Sequence, residues 1–138
     1  MSSKTTITIN PNATTTQLAG YVPQEVLDHY SIQCPSNEVT IPPGVLKHIR
    51  KQRHWVEFMQ YYQDIPDMIA NPDYAGQNPK EPGTVELYKV INDHLLLAIK
   101  VDPSTGLFLS SFYKLDNPQS KVAGRLRNGR IHPISFFR

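Results

Sequence analysis

Residues 84–115 read TVELYKVINDHLLLAIKVDPSTGLFLSSFYKL. Three apolar, β-branched and aromatic runs are separated here by two clusters of turn formers. The spacing predicts strands over Thr84–Ile91, His94–Asp102 and Leu107–Leu115, with Asn92-Asp93 as a two-residue turn and Pro103–Gly106 as a four-residue one. Such an arrangement is an antiparallel meander. With that register, Lys89 faces Leu96 and Val85 faces Lys100. Glu86, Tyr88 and Val90 then share the core face with Leu95, Leu97, Ile99 and Val101, joined by Phe108, Ser110 and Phe112. Lys89, Lys100, Leu109, Ser111 and Tyr113 fall on the other face, where two ammonium groups, a serine and a tyrosine can meet a phosphate. Lysines on the outer face of a small sheet also simply keep it soluble. A slip of one residue would move each strand's set to the wrong side.

Upstream of the meander, residues 44–62 read GVLKHIRKQRHWVEFMQYY. On a helical wheel Val45, Ile49, Val56 and Met59 fall within about 80° of one another, which predicts one apolar stripe laid on the sheet. His48, Trp55 and Tyr62 border the stripe, and His54 lies on nearly the opposite side with Arg50 and Lys47. Two histidines about 120° apart on a regular helix do not chelate one ion. A second short helix is expected after Asp64, with Pro66 in its first turn and Asn71-Pro72 at its end. The Pro- and Gly-rich stretch 71–83 reads as a loop.

The expected fold class is therefore α+β, two short N-terminal helices packed on a three- to four-stranded antiparallel sheet. Residues 1–42 read as an extended, flexible segment with a short helix at Pro23–Tyr30, an edge strand at Thr5–Asn10 and an extended piece at Glu38–Ile41. Residues 43–138 form the folded domain and its basic C-terminal segment. There, Asn128-Gly129 precedes an edge strand at Arg130–Ile134, where Pro133 is tolerated.

Charge is unevenly spread. Residues 114–138 hold six basic side chains, among them Arg125, Arg127 and Arg130, against Asp116 alone. A basic segment of this kind attracts phosphate backbones or serves as a solvated tail, and composition alone does not choose. The single cysteine, Cys34, leaves no internal disulfide and no CxxC site, which suits a reducing, cytoplasmic setting. The longest apolar run, Leu95–Ile99, is far short of a membrane span, and the opening MSSKTTITIN has no apolar core of a secretory signal. No Gly-rich phosphate loop, HExxH or EF-hand pattern is present, so no metal and no cofactor are expected. Serine without a paired base is not a nucleophile, and no GxSxG stands around Ser110 or Ser111.

The order LKHIRKQRH, IANPDYAG, VELYKVI, LLLAIKV and FLSSFYKL resembles the phage-associated branch of the barnase–EndoU–colicin–RelE-like (BECR) nucleases over residues 44–115. The resemblance implies a small toxin-type or phage-associated domain that cleaves RNA without a metal. A ribose 2′-oxygen attacks the neighbouring phosphorus, an acid protonates the leaving oxygen, and cations hold the charged intermediate. It assigns His48 or His54 as acid or base and Lys89 and Lys100 as phosphate ligands. Ser111 and Tyr113 would orient the substrate, while Arg125, Arg127 and Arg130 track the RNA backbone. An RNA partner and an accompanying inhibitor or antitoxin protein follow from the same resemblance. The alternative is a non-catalytic RNA- or protein-binding module on the same fold.

Overall fold

The computed structural model describes residues 7–138. It contains β1 (Gln17–Tyr21), α1 (Gln24–His29), β2 (Glu38–Ile41), α2 (Pro43–Lys51), α3 (Trp55–Tyr61), α4 (Ile65–Ala70) and β3 (Tyr74–Gln77). These are followed by β4 (Thr84–Val90), β5 (His94–Asp102), β6 (Gly106–Lys114), α5 (Pro118–Arg127) and β7 (Ile131–Pro133). Short 3₁₀ turns occupy Tyr62–Asp64 and Ile134–Phe137.

All seven strands join one sheet in the order β1-β2-β6-β5-β4-β3-β7. The expected three- to four-stranded antiparallel sheet is thus corrected to a seven-stranded mixed one. The meander lies at its centre, and β2 runs parallel to β6 through Val39 opposite Leu107 and Thr40 opposite Phe108. The additional strands have three to five residues, too few for a period of two to stand out in the sequence. The piece at Glu38–Ile41 is β2, and residues 17–21 supply β1 ahead of it. β3 lies inside the stretch expected to be a loop, since its Pro and Gly neighbours mask it. Of the edge strand expected at Thr5–Asn10, Thr5 and Thr6 lie outside the described residues, and Ile7–Asn10 are not in a strand.

Helices cover both faces, which corrects the expectation of a two-layer pair. On one face, Val26 and Leu27 of α1, Leu46 and Ile49 of α2, Phe58 of α3 and Met68 of α4 pack with Val85, Leu87, Leu97, Ile99, Leu109 and Phe112 of the sheet. On the second face, Val122 and Leu126 of α5 pack with Tyr88, Leu96, Tyr113 and Ile131.

The stripe expected over residues 45–59 does not hold. Gln52 is extended (φ −95°, ψ 160°), so α2 stops and α3 restarts with a new phase. Ile49, Phe58 and Tyr61 then point inward, while Val56 and Met59 are 69% and 40% exposed. The helix expected after Asp64 is present with Pro66 in its first turn, but the Asp64 side chain makes no capping hydrogen bond.

Candidate functional site

Register decides which polar groups meet. Val90, not Ile91, stands opposite His94, so the β4–β5 loop has three residues, Ile91–Asp93. The Tyr61 hydroxyl donates to Asp93 Oδ2 at 2.8 Å and ties that loop to α3. Relative to the two-residue turn, β4 shifts by one position and presents its other face. Lys89 now faces Leu95, Glu86 faces Ala98, and Thr84 faces Lys100. Gly106 stands opposite Asp102, so the β5–β6 turn is one residue shorter than expected. This moves Phe108 off the core face to lie opposite Lys100 and brings Leu109 onto it opposite Ile99; a bulge at Ser110 then restores the expected pairing of Ser111 with Ala98.

The second face therefore carries Thr84, Glu86 and Tyr88 on β4, Leu96, Ala98 and Lys100 on β5, and Phe108, Ser111 and Tyr113 on β6. Lys89 lies on the opposite, helix-covered face. Its ammonium donates to the Asn71 carbonyl at 2.7 Å and sits 3.8 Å from Asp73. The two lysines expected to share an anion pocket are separated by the sheet. Lys100, half-exposed and 3.6 Å from Glu81, remains with Ser111 and Tyr113.

The shift also brings Glu86 onto this face, where the sequence reading had no glutamate. Glu86 is 3% exposed. Arg130 clamps it with Nε to Oε1 at 2.9 Å and Nη2 to Oε2 at 2.8 Å. The Tyr88 hydroxyl donates to Oε1 at 3.0 Å and accepts from Arg125 Nη1 at 2.8 Å. Burial, and next the Glu86 carboxylate, push the Tyr88 phenol far up from its usual range. The hydrogen bond to Glu86 is likewise the main reason Arg130 is held above its usual value. Tyr113 is raised first by burial and then by Glu86, against the lowering influence of Arg125 and Arg130. Gly76, beside Glu86 in the sheet, permits this clamp, because a Cβ there would lie 2.1 Å from the Arg130 carbonyl oxygen. The partners stand 44 residues apart, so no local pattern announces them.

At the other end of the same cross-strand row, β2 pairs only with the start of β6, leaving the stretch near Ser111 and Tyr113 as a free edge. A cleft of about 160 Å³ opens there, lined by His48, Gln52, His54, Ser111 and Tyr113. The break between α2 and α3 lets both histidines reach one cleft, which a continuous helix forbids. His54 Nδ1 is buried without a hydrogen-bond partner. It lies 3.8 Å from Glu57 Oε1, too far for a hydrogen bond. Its ring centroid is 5.6 Å from that of Tyr113. Arg53 and Asp116 pair across 3.0 Å between the loop bearing His54 and the segment after β6. Arg125 and Arg130 are drawn into the Glu86 network, whereas Arg127 is exposed at the end of α5. Among the described residues no three His, Cys, Asp or Glu side chains gather as a metal-binding group, and no helix is long and apolar enough to cross a membrane.

A model of the phage-Barnase-EndoU-ColicinE5/D-RelE like nuclease3 family matches residues 17–122. That range runs from the first residue of β1 into α5, and it includes the histidine cleft and Glu86 but not Arg125, Arg127 or Arg130. The chain belongs to this phage-type nuclease family. No curated protein and no solved structure matches it.

Proposed function

We propose that this nuclease-family chain is an endoribonuclease that cuts RNA without a metal ion, at the cleft on the free edge of β6. The observation that carries the reading is the convergence of His48 and His54, through the break between α2 and α3, on one cleft shared with Ser111 and Tyr113. Two imidazoles lining one cleft can serve as the proton acceptor and the proton donor of a single transfer reaction. One imidazole takes the proton of the ribose 2′-hydroxyl as that oxygen bonds to phosphorus. The bond from phosphorus to the 5′-oxygen breaks, and that oxygen receives a proton from the second imidazole. The products are a 2′,3′-cyclic phosphate and a free 5′-hydroxyl.

Ser111 and Tyr113 supply hydroxyl donors beside the phosphate. Lys100, on the same face two residues along β5 from the Ala98 that faces Ser111, supplies positive charge to the crowded phosphorane. Arg125 and Arg130 continue that charge along the row, partly balanced by Glu86. Lys89 is outside this reading, because its ammonium is engaged on the other face.

The test is cleavage of RNA in excess EDTA by the wild-type chain, His48→Ala and His54→Ala, with product ends analysed. The reading expects cyclic phosphate ends and a loss of about 10²–10⁴-fold for His54→Ala. Cleavage abolished by EDTA, or unaffected by both substitutions, overturns it. Binding of RNA with no cleavage identifies a non-catalytic module.

A further inference from the structure

A second cavity, about 390 Å³, lies at the opposite end of the same row, where β3 meets the turn before β7. It is lined by Tyr30, Gln77, Pro79, Asn128, Gly129 and Arg130. The Tyr30 hydroxyl is buried and has no hydrogen-bond partner. A native hydroxyl left in that state costs stability, and such groups mark places where a ligand completes the bonding.

Its neighbours hold complementary free groups. Gln77 donates its amide nitrogen to the Pro82 carbonyl, which leaves its side-chain oxygen as an acceptor. Asn128 uses its oxygen to accept from Arg130 N at 3.0 Å, which leaves its NH₂ as a donor. Arg130 commits Nε and Nη2 to Glu86, leaving Nη1. Because Glu86 already neutralises the only cation lining the cavity, the site has little attraction for an anion. Mixed donors and acceptors around an apolar Pro79 suit a flat, uncharged, polar ring.

We infer that this cavity is a subsite for one nucleobase of a single-stranded nucleic acid that crosses the second face and turns over the β3–β7 edge of the sheet, where Tyr30 and Gln77 meet Arg130. Three strand spacings, about 14 Å in total, separate β6 from β3, a distance that a few nucleotides bridge. The row Ser111, Ala98, Glu86, Gly76 connects the two ends; small Ala98 keeps it low on β5, and Arg130 covers it at Glu86 and Gly76 and forms its surface there. The inference rests on the ribonuclease reading for its route, but base binding itself is measurable without cleavage.

The experiment titrates uncharged nucleosides, with inorganic phosphate as the control probe, into the full chain and follows backbone amide shifts. Wild type is expected to bind at least one nucleoside with shifts at Gln77 and Gly129, and phosphate is expected not to displace it. Tyr30→Phe should weaken that binding at least fivefold while leaving the unfolding temperature unchanged or raised, since it removes an unsatisfied hydroxyl. Asn128→Ala, at an exposed turn, should weaken it similarly. Equal binding by all three chains, or none by wild type up to millimolar nucleoside, overturns the inference. His54→Ala separates the two proposals. Nucleoside binding in a wild type that cuts no RNA leaves the subsite standing and removes the ribonuclease, and cutting without nucleoside binding does the reverse.

Discussion

Arg130 holds Glu86 through two parallel hydrogen bonds, with the Glu86 side chain 4% exposed and that of Arg130 21% exposed. The pair joins the turn before β7 to β4 across β3, where the Arg130 backbone lies against Gly76 in the space a side chain would need. Removing one member of a buried pair strands the other charge in a poor solvent. Arg130→Ala is therefore expected to destabilise the fold by about 3–5 kcal/mol. Chemical denaturation checks this, and a change no larger than that of Arg53→Ala, which breaks a solvent-exposed pair with Asp116, would refute it.

Gly76→Ala tests the same junction from the backbone side. Its Cβ would collide with the Arg130 carbonyl oxygen and with Ile131 Cα at 2.8 Å, both backbone atoms that cannot swing aside. β7 must then separate from β3. A loss of about 1–3 kcal/mol or more is expected in thermal or chemical unfolding, with faster amide exchange at Ile131 and His132.

The sequence displays the long elements and conceals the joints between them. The three central strands fall within a residue of their expected limits, because seven to nine residues of alternating or continuous apolar character are hard to mistake. Their register is not legible, because Asn92-Asp93 has the composition of a two-residue turn. Tyr61, more than thirty positions upstream, and Lys114, on β6, draw Asp93 into a longer loop. The bulge at Ser110 has no compositional mark either. The longer β4–β5 loop alone hides Glu86 on the wrong face and makes Lys89 look like a companion of Lys100, while the shorter β5–β6 turn and the bulge misplace Phe108 and Leu109. His48 and His54 were visible as candidates. Their shared cleft depends on the Gln52 break, for which the only hint is the run Arg50–His54 without an apolar residue.

The Tyr61–Asp93 contact also sets an acid dependence. The Tyr61 hydroxyl is the main cause that holds the Asp93 carboxyl below its usual 3.8; burial opposes it next, and Lys114 adds to the lowering. A carboxylate with a lowered folded pKa contributes stability above its unfolded value and loses it as pH falls through the folded one. Tyr61→Phe should cost about 1 kcal/mol at neutral pH. The gap between the two chains should close as the pH drops below 3.8. A gap that stays constant through that window in urea titrations contradicts the assignment.

Because the sheet separates the two lysines, their substitutions should differ. Lys100→Ala is expected to weaken RNA binding and to reduce the dependence of affinity on salt, as the loss of one phosphate contact does. Lys89→Ala, whose ammonium caps the Asn71 carbonyl on the other face, should leave that salt slope unchanged. Fluorescence anisotropy over a range of salt concentrations distinguishes them. Equal effects of the two substitutions would mean that RNA does not follow the second face.

Ala98 tests the route most directly. It sits between Glu86 and Ser111 on the middle strand and is half-buried, so a larger side chain there rises into the row without entering the core. Strands accept Leu or Val at least as well as Ala at a half-buried position, so Ala98→Leu should change stability by no more than about 0.5 kcal/mol. Cleavage and RNA affinity should nonetheless fall at least tenfold, because the added atoms occupy the path between the histidine cleft and the Tyr30 cavity. The informative result is the combination of unchanged unfolding with impaired cleavage. A wild-type rate in Ala98→Leu would place the nucleic acid elsewhere on the molecule, along the exposed basic ends of α2 and α5.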